Sequence, residues 1–244
     1  MRACGPRRRG IVTEIKLCGM TCADDVAFAA ELGVRYVGCI FAEGIRLQTA
    51  AQAAALFARV GSRSSPRRVG VFGTADVARV GDVAVAVPLD IVQIHGYATP
   101  SAVAALRASL PPSVEVWAVM RCHAGRLGSD AAAVWGEADA LLLDAYVPGR
   151  LGGTGETLPW DSLAADVGAL RAAMGAEARL VLAGGLTPDN VGSAIAALRP
   201  DVVDVSSGVE RTPGIKDHTR MRAFVEAVRS ADLAMASPTT RTRP

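Results

Sequence analysis

The run RLVLAGGLTPDNVGSAIAALRPDVVDVSSG, residues 179–208, contains one whole structural repeat. Residues 179–183 are branched and apolar, 188–198 are Ala-rich and of helical length, and 202–206 are Val-rich again. Strand, helix, strand in this order and at this spacing reads as two parallel strands joined by a crossover helix. Outward from this unit the pattern repeats along the chain. Strands are expected near 14–18, 35–41, 67–72, 90–95, 114–119, 139–144, 179–183 and 202–206. Helices are expected near 23–32, 49–60, 76–85, 100–109, 129–136, 160–173, 188–198 and 217–230. Eight βα units can close a parallel sheet on itself and leave no edge strand, since each crossover is right-handed. The fold class is therefore α/β, a single (βα)8 or TIM barrel of the phosphate-binding type spanning residues 13–231. A doubly wound open sheet is the alternative that the same alternation allows. Local start signals fit the register: Thr21 and Asp24 before the first helix, Thr99-Pro100 at the fourth, and Thr187-Pro188 at the seventh.

Length and composition agree, because 244 residues with 50% hydrophobic content suffice for one large α/β domain. The formal charge is +2. Arg2, Arg7, Arg8 and Arg9 supply +4 of it, and the stretch from Asp232 onward a net +1, which leaves about −3 for the body. A slightly acidic body argues against nucleic acid as a partner. Residues 1–12 read as a flexible basic extension and 232–244 as a flexible tail rich in Ser, Pro, Thr and Arg. The five cysteines, Cys4, Cys18, Cys22, Cys39 and Cys122, are scattered and lack Cys-x-x-Cys or Cys/His spacing, so neither a disulfide framework nor a metal site is expected. No stretch approaches about 18 uncharged apolar residues, and the Arg-rich start lacks an apolar segment behind it, so the expectation is a cytoplasmic protein without a membrane partner.

In such a barrel the loops that follow strands form the reactive face. Leu182-Ala183-Gly184-Gly185-Leu186-Thr187-Pro188 closes strand seven, and Asp204-Val205-Ser206-Ser207-Gly208-Val209-Glu210 closes strand eight. Two Gly-rich turns in adjacent units present backbone N–H groups where a phosphate commonly sits, at Gly184, Gly185, Ser206, Ser207 and Gly208. Either turn alone is equally well explained by backbone shape. Cys18 ends strand one before Gly19, where a thiol can act as a base once its pKa falls from about 8.5. Buried packing is the bland alternative, and it suits Cys39 and Cys122. Asp144 ends strand six after Leu141-Leu142-Leu143, and a carboxyl there needs solvent, a hydrogen-bond partner or a ligand. Apolar walls favour its protonated form, the state a general acid requires. Capping the following loop is its other use. Arg46, after strand two, is equally a surface residue or a clamp for a substrate carboxylate. His95 ends strand four and lines the mouth. Lys216 and Asp217 read as shaping the start of the last helix. The stretch from Tyr146 to Thr157 is a long loop on the reactive face, and 61–68 a plain connection on the other.

Together these segments resemble the phosphoribosylanthranilate isomerase family. The likeness runs from Lys16-Leu17-Cys18-Gly19-Met20-Thr21 through Val71-Phe72, Val92-Gln93-Ile94-His95-Gly96 and Gly152-Gly153-Thr154-Gly155 to the two loops quoted above. The resemblance implies an Amadori rearrangement of a phosphoribosyl substrate in tryptophan biosynthesis, without cofactor or metal, by a monomer or homodimer. It implies that Asp144 is the general acid, Cys18 the general base and Arg46 the ligand of the anthranilate carboxylate. The two Gly-rich loops would hold the 5′-phosphate, and Asp204 and His95 would line the pocket. This chain departs from the family in carrying Gly44-Ile45-Arg46 where Ser-Pro-Arg is usual, and Cys39 where Phe is common. Two other readings stay open: the related phosphoribosyl isomerase of histidine biosynthesis, which relies on paired aspartates, and a catalytically silent barrel that binds a phosphorylated metabolite.

Overall fold

The computed structural model describes residues 12–58, 66–95, 98–122, 126–145, 160–175 and 178–236. Eight strands, β1 (Glu14–Cys18), β2 (Tyr36–Ile40), β3 (Arg67–Phe72), β4 (Ile91–Ile94), β5 (Glu115–Cys122), β6 (Ala140–Ala145), β7 (Arg179–Leu182) and β8 (Val202–Val205), pair in parallel and in chain order into a closed barrel. The helices between them are α1 (Ala23–Glu31), α2 (Ala50–Ala58), α3 (Val77–Ala86), α4 (Pro100–Ser109), α5 (Ala131–Glu137), α6 (Trp160–Met174), α7 (Val191–Leu198) and α8 (His218–Ala236). Closure of β8 onto β1, with Lys16 opposite Asp204, decides for the barrel over the open sheet.

Side chains alternate along each strand, so the barrel sorts its residues by parity. One set packs outward beneath the helices; Leu17, Val37, Phe72, Ile94, Leu141 and Leu182 belong to it. The other set fills the interior, where Tyr36, Val69, Ile91, Trp117, Leu142 and Val181 form a separate apolar cluster. Trp117 is its largest member. It is fully buried, meets the Tyr36 ring edge-on at 5.0 Å, and donates its Nε1–H to Glu115 at 3.0 Å. Glu115 also pairs with Arg67 (2.6 Å) and Arg179 (3.2 Å), a charged plug at the strands' N-terminal ends. Trp117→Ala should therefore lower stability by about 3–5 kcal/mol, read as a shift in the urea midpoint without a change in slope.

Three local expectations need correction. Helix α7 starts at Val191, because Thr187-Pro188-Asp189-Asn190 forms a turn instead: Asn190 accepts from the Thr187 N–H at 2.8 Å and donates to Gly185 O at 2.9 Å. Thr21 does not cap α1; Cys22 holds the cap position, and the Thr21 hydroxyl donates to Gly214 O. Helix α8 continues through Ala236, past the boundary placed at 231. Asp232 accepts from both Thr13 N and Thr13 Oγ1 at 2.7 Å, which ties the last helix to the foot of β1. The loop 146–157, with Gly152-Gly153-Thr154-Gly155, lies outside the described residues. So do residues 1–11, 59–65 and 237–244.

Candidate active site

The inner rows of β1, β4, β6 and β8 end in polar residues, and all of them reach one open cavity. Its wall carries Cys18, His95, Asp144 and Asp204 from the strand ends, Arg46 from the β2–α2 loop, Gly184 and Gly185 after β7, and Ser206, Ser207 and Gly208 after β8. The ten positions singled out in the sequence thus meet on one surface.

Asp144 is 5% exposed and ends β6 opposite Arg121 of β5. Its Oδ2 lies 3.4 Å from His95 Nε2. Burial, with Arg121 and Lys16 nearby, pulls the His95 pKa down to about 4, so the ring is neutral at pH 7. An unfolded imidazole takes up its proton near pH 6.5, well before the folded one does. The unfolded state therefore binds more protons across that window, and stability should fall by up to about 3 kcal/mol as pH drops from 6.5 to about 4. Urea melts of the wild type and of His95→Gln across this range check it, since the variant should show a shallower acid slope.

Cys18 is 7% exposed. Burial pushes its thiol up, Lys16 and Lys216 pull it down, and Asp204 adds to the rise. Arg46 crosses Gly19, where a Cβ would lie 2.6 Å from Arg46 Cδ; Gly19, at φ 74°, leaves the passage open. The guanidinium then forks onto Glu210 through Nε (2.7 Å) and Nη2 (2.6 Å). Glu210 also accepts from Lys216 Nζ at 2.9 Å, and Lys216 Nζ donates to Ser206 O at 3.1 Å. Burial works against the Glu210 carboxylate, but Arg46 and Lys216 outweigh it and hold its pKa below the usual range. Glu210 and Lys216 sit on a small hairpin, β9 (Glu210–Thr212) and β10 (Ile215–Lys216), that the sequence pattern did not reveal. Lys216 was expected to shape the helix start; it is instead 2% exposed and part of this buried charge group. Gly44 adopts φ 138°, a conformation for glycine, so a serine at this position would be strained.

The two Gly-rich loops touch through their backbones. A Cβ on Gly208 would fall 1.9 Å from Leu186 O, and Gly184 and Gly185 turn with φ of 88° and 62°. A short 3-10 turn, Ser207–Val209, follows β8. Gly208→Ala must push the loops apart, and displacements near 1 Å are enough to cost about 10- to 100-fold. A rise of that size in KM for a phosphorylated substrate, with an unaltered circular dichroism spectrum, is the expected result.

Sequence reasoning missed Lys16, Gln93, Glu210 and Asn190. Gln93, 3% exposed on the inner face of β4, lines the cavity, and its Oε1 has no hydrogen-bond partner among the described residues. A polar residue at inward parity marks both Lys16 and Gln93.

Residues 15–227 match the family model for N-(5′-phosphoribosyl)anthranilate isomerase. The chain belongs to that family. A curated isomerase of this name from Pseudomonas fluorescens (strain Pf0-1) is 38% identical over 220 residues, covering 88% of this chain and 97% of the relative. One from Ralstonia nicotianae is 40% identical over 230 residues, covering 92% and 96%. Among solved structures, a phosphoribosylanthranilate isomerase in complex with reduced 1-(o-carboxyphenylamino)-1-deoxyribulose 5-phosphate superposes with a TM-score of 0.74 at 29% identity, covering 89% of this chain and 99% of that one. In this chain the cavity at the strands' C-terminal ends carries Cys18 and Asp144, on strands β1 and β6.

Proposed function

We infer that this isomerase converts N-(5′-phosphoribosyl)anthranilate to 1-(2-carboxyphenylamino)-1-deoxyribulose 5-phosphate in tryptophan biosynthesis, using Asp144 as acid and Cys18 as base. The observation that carries the assignment is one cavity lined at once by a thiol, a carboxyl group and the touching Gly-rich loops. Asp144 gives its proton to the ribose ring oxygen, the C1′–O bond breaks, and the nitrogen lone pair closes a cationic Schiff base. The Cys18 thiolate takes the C2′ proton; the released electron pair forms the C1′–C2′ double bond and neutralises the nitrogen. The resulting enolamine tautomerises to the ketone. Each proton transfer of this kind contributes about 10²- to 10⁴-fold.

The 5′-phosphate rests against Gly184, Gly185, Ser206, Ser207 and Gly208, which fixes the ribose between acid and base. Arg46 offers the anthranilate carboxylate the edge of its guanidinium turned away from Glu210, and Glu210 with Lys216 takes over the stiffening that a Pro at Ile45 would give. Asp204 and His95 border the sugar. The chain works in the cytoplasm as a monomer or homodimer, and its partner is a phosphoribosyl small molecule rather than nucleic acid or membrane. Adding enzyme to N-(5′-phosphoribosyl)anthranilate should abolish the fluorescence of the substrate. Persisting fluorescence with intact binding of a phosphorylated analogue would favour the silent barrel.

A further inference from the structure

The barrel interior contains a charge that the chemistry above does not use. Lys16 lies in the middle of β1, 0% exposed, with Nζ 2.7 Å from Asp204 Oδ2. Barrel interiors are ordinarily filled by branched apolar side chains. A buried ion pair is a poor substitute as far as stability goes, because desolvation costs several kcal/mol per ion. Its placement suggests another use. Lys16 and Cys18 are two residues apart and so point to the same side of β1. Both lie over Gly38, where an added Cβ would be 3.1 Å from Cys18 Sγ and 3.4 Å from Lys16 Cε. No side chain separates sulfur from lysine there. Cys18 and Asp204 line the cavity; Lys16 lies behind them. Asp204 Oδ1 is buried without a hydrogen-bond partner among the described residues.

We propose that Lys16 is a positioning residue for the base: anchored by Asp204, its ammonium sits beside the sulfur of Cys18 and stabilises the thiolate that removes the C2′ proton. The proposal rests on the reading of Cys18 as base. Other ionisable groups facing Cys18 are Cys39 of β2, Arg46 of the β2–α2 loop, Asp204 of β8 and Lys216 of β10. Lys216 and Arg46 share Glu210 and Lys16 is paired with Asp204, yet Lys16 is the foremost opponent of the rise that burial imposes on the thiol. Burial also works against the Lys16 ammonium, but Asp204 and Cys18 outweigh it and raise its pKa. The lysine is therefore charged wherever the enzyme is folded and active.

The test is Lys16→Met, with Lys16→Gln as a second variant that keeps a donor toward Asp204. Iodoacetamide labelling of Cys18, followed peptide by peptide in a mass spectrometer across pH, reads the thiolate directly. Removing the cation disfavours the thiolate, so the labelling midpoint should move up by at least about one pH unit in either variant. The rising limb of kcat/KM against pH should move with it. A folded variant whose labelling midpoint stays at the wild-type position overturns the proposal. Wild-type turnover by Cys18→Ala would instead overturn the reading of Cys18 as base, and the labelling result would then describe a thiol without that task.

Discussion

Cys18→Ala should lower kcat/KM for N-(5′-phosphoribosyl)anthranilate by at least about 10³-fold. The thiol sits at the end of β1 in a nearly closed environment, 7% exposed. Alanine leaves the backbone of β1 and its pairing with Gly38 intact and removes only the proton acceptor. KM should change little, because alanine leaves the Gly-rich loops and Arg46 in place. Cys18→Ser should be nearly as poor, since a hydroxyl is far less acidic than a thiol and is rarely ionised near neutral pH. Steady-state fluorescence kinetics decide the matter, and a variant within tenfold of wild type would remove Cys18 from the mechanism.

Asp144→Asn is expected to cost a comparable factor. The amide preserves shape and most hydrogen bonding, so the neutral His95 ring 3.4 Å away should keep its place. What it lacks is a transferable proton for the ribose ring oxygen. Without ring opening there is no Schiff base, and the C2′ proton is then too weakly acidic for Cys18 to remove. The double variant should consequently be hardly slower than the worse single one, as expected for residues that act in sequence on one intermediate. Additive losses would mean that the two groups act independently.

The sequence was most informative where periodicity governs. The β1 and β3 limits, Glu14–Cys18 and Arg67–Phe72, coincide with the runs read from hydrophobic pattern, because an apolar run flanked by turns has one sensible place in a parallel sheet. The strand-end rule likewise brought Cys18, Asp144 and His95 to one cavity. Partnerships across the chain were not legible. Nothing near Arg46 announces that Glu210 takes its fork, 164 residues away. The β9–β10 hairpin escaped because its five strand residues, Glu210–Thr212 and Ile215–Lys216, are too few to show alternation. Lys16 escaped because a lysine within a strand is read as solvent-facing unless closure of the ring is imposed first. The turn at Thr187–Asn190 mimics a helix start, with Pro in the favoured place, until Asn190 is seen to lock it.

The joint between β8 and β1 closes the ring of strands, and Lys16 and Asp204 meet across it inside the barrel. The cavity lining therefore straddles the chain's own seam, and neither an amino-terminal nor a carboxy-terminal fragment carries all of it. With Asp232 clasping Thr13 on the outside of that joint, a short peptide bridging these neighbours and fresh ends cut elsewhere in the ring would leave the chemistry undisturbed.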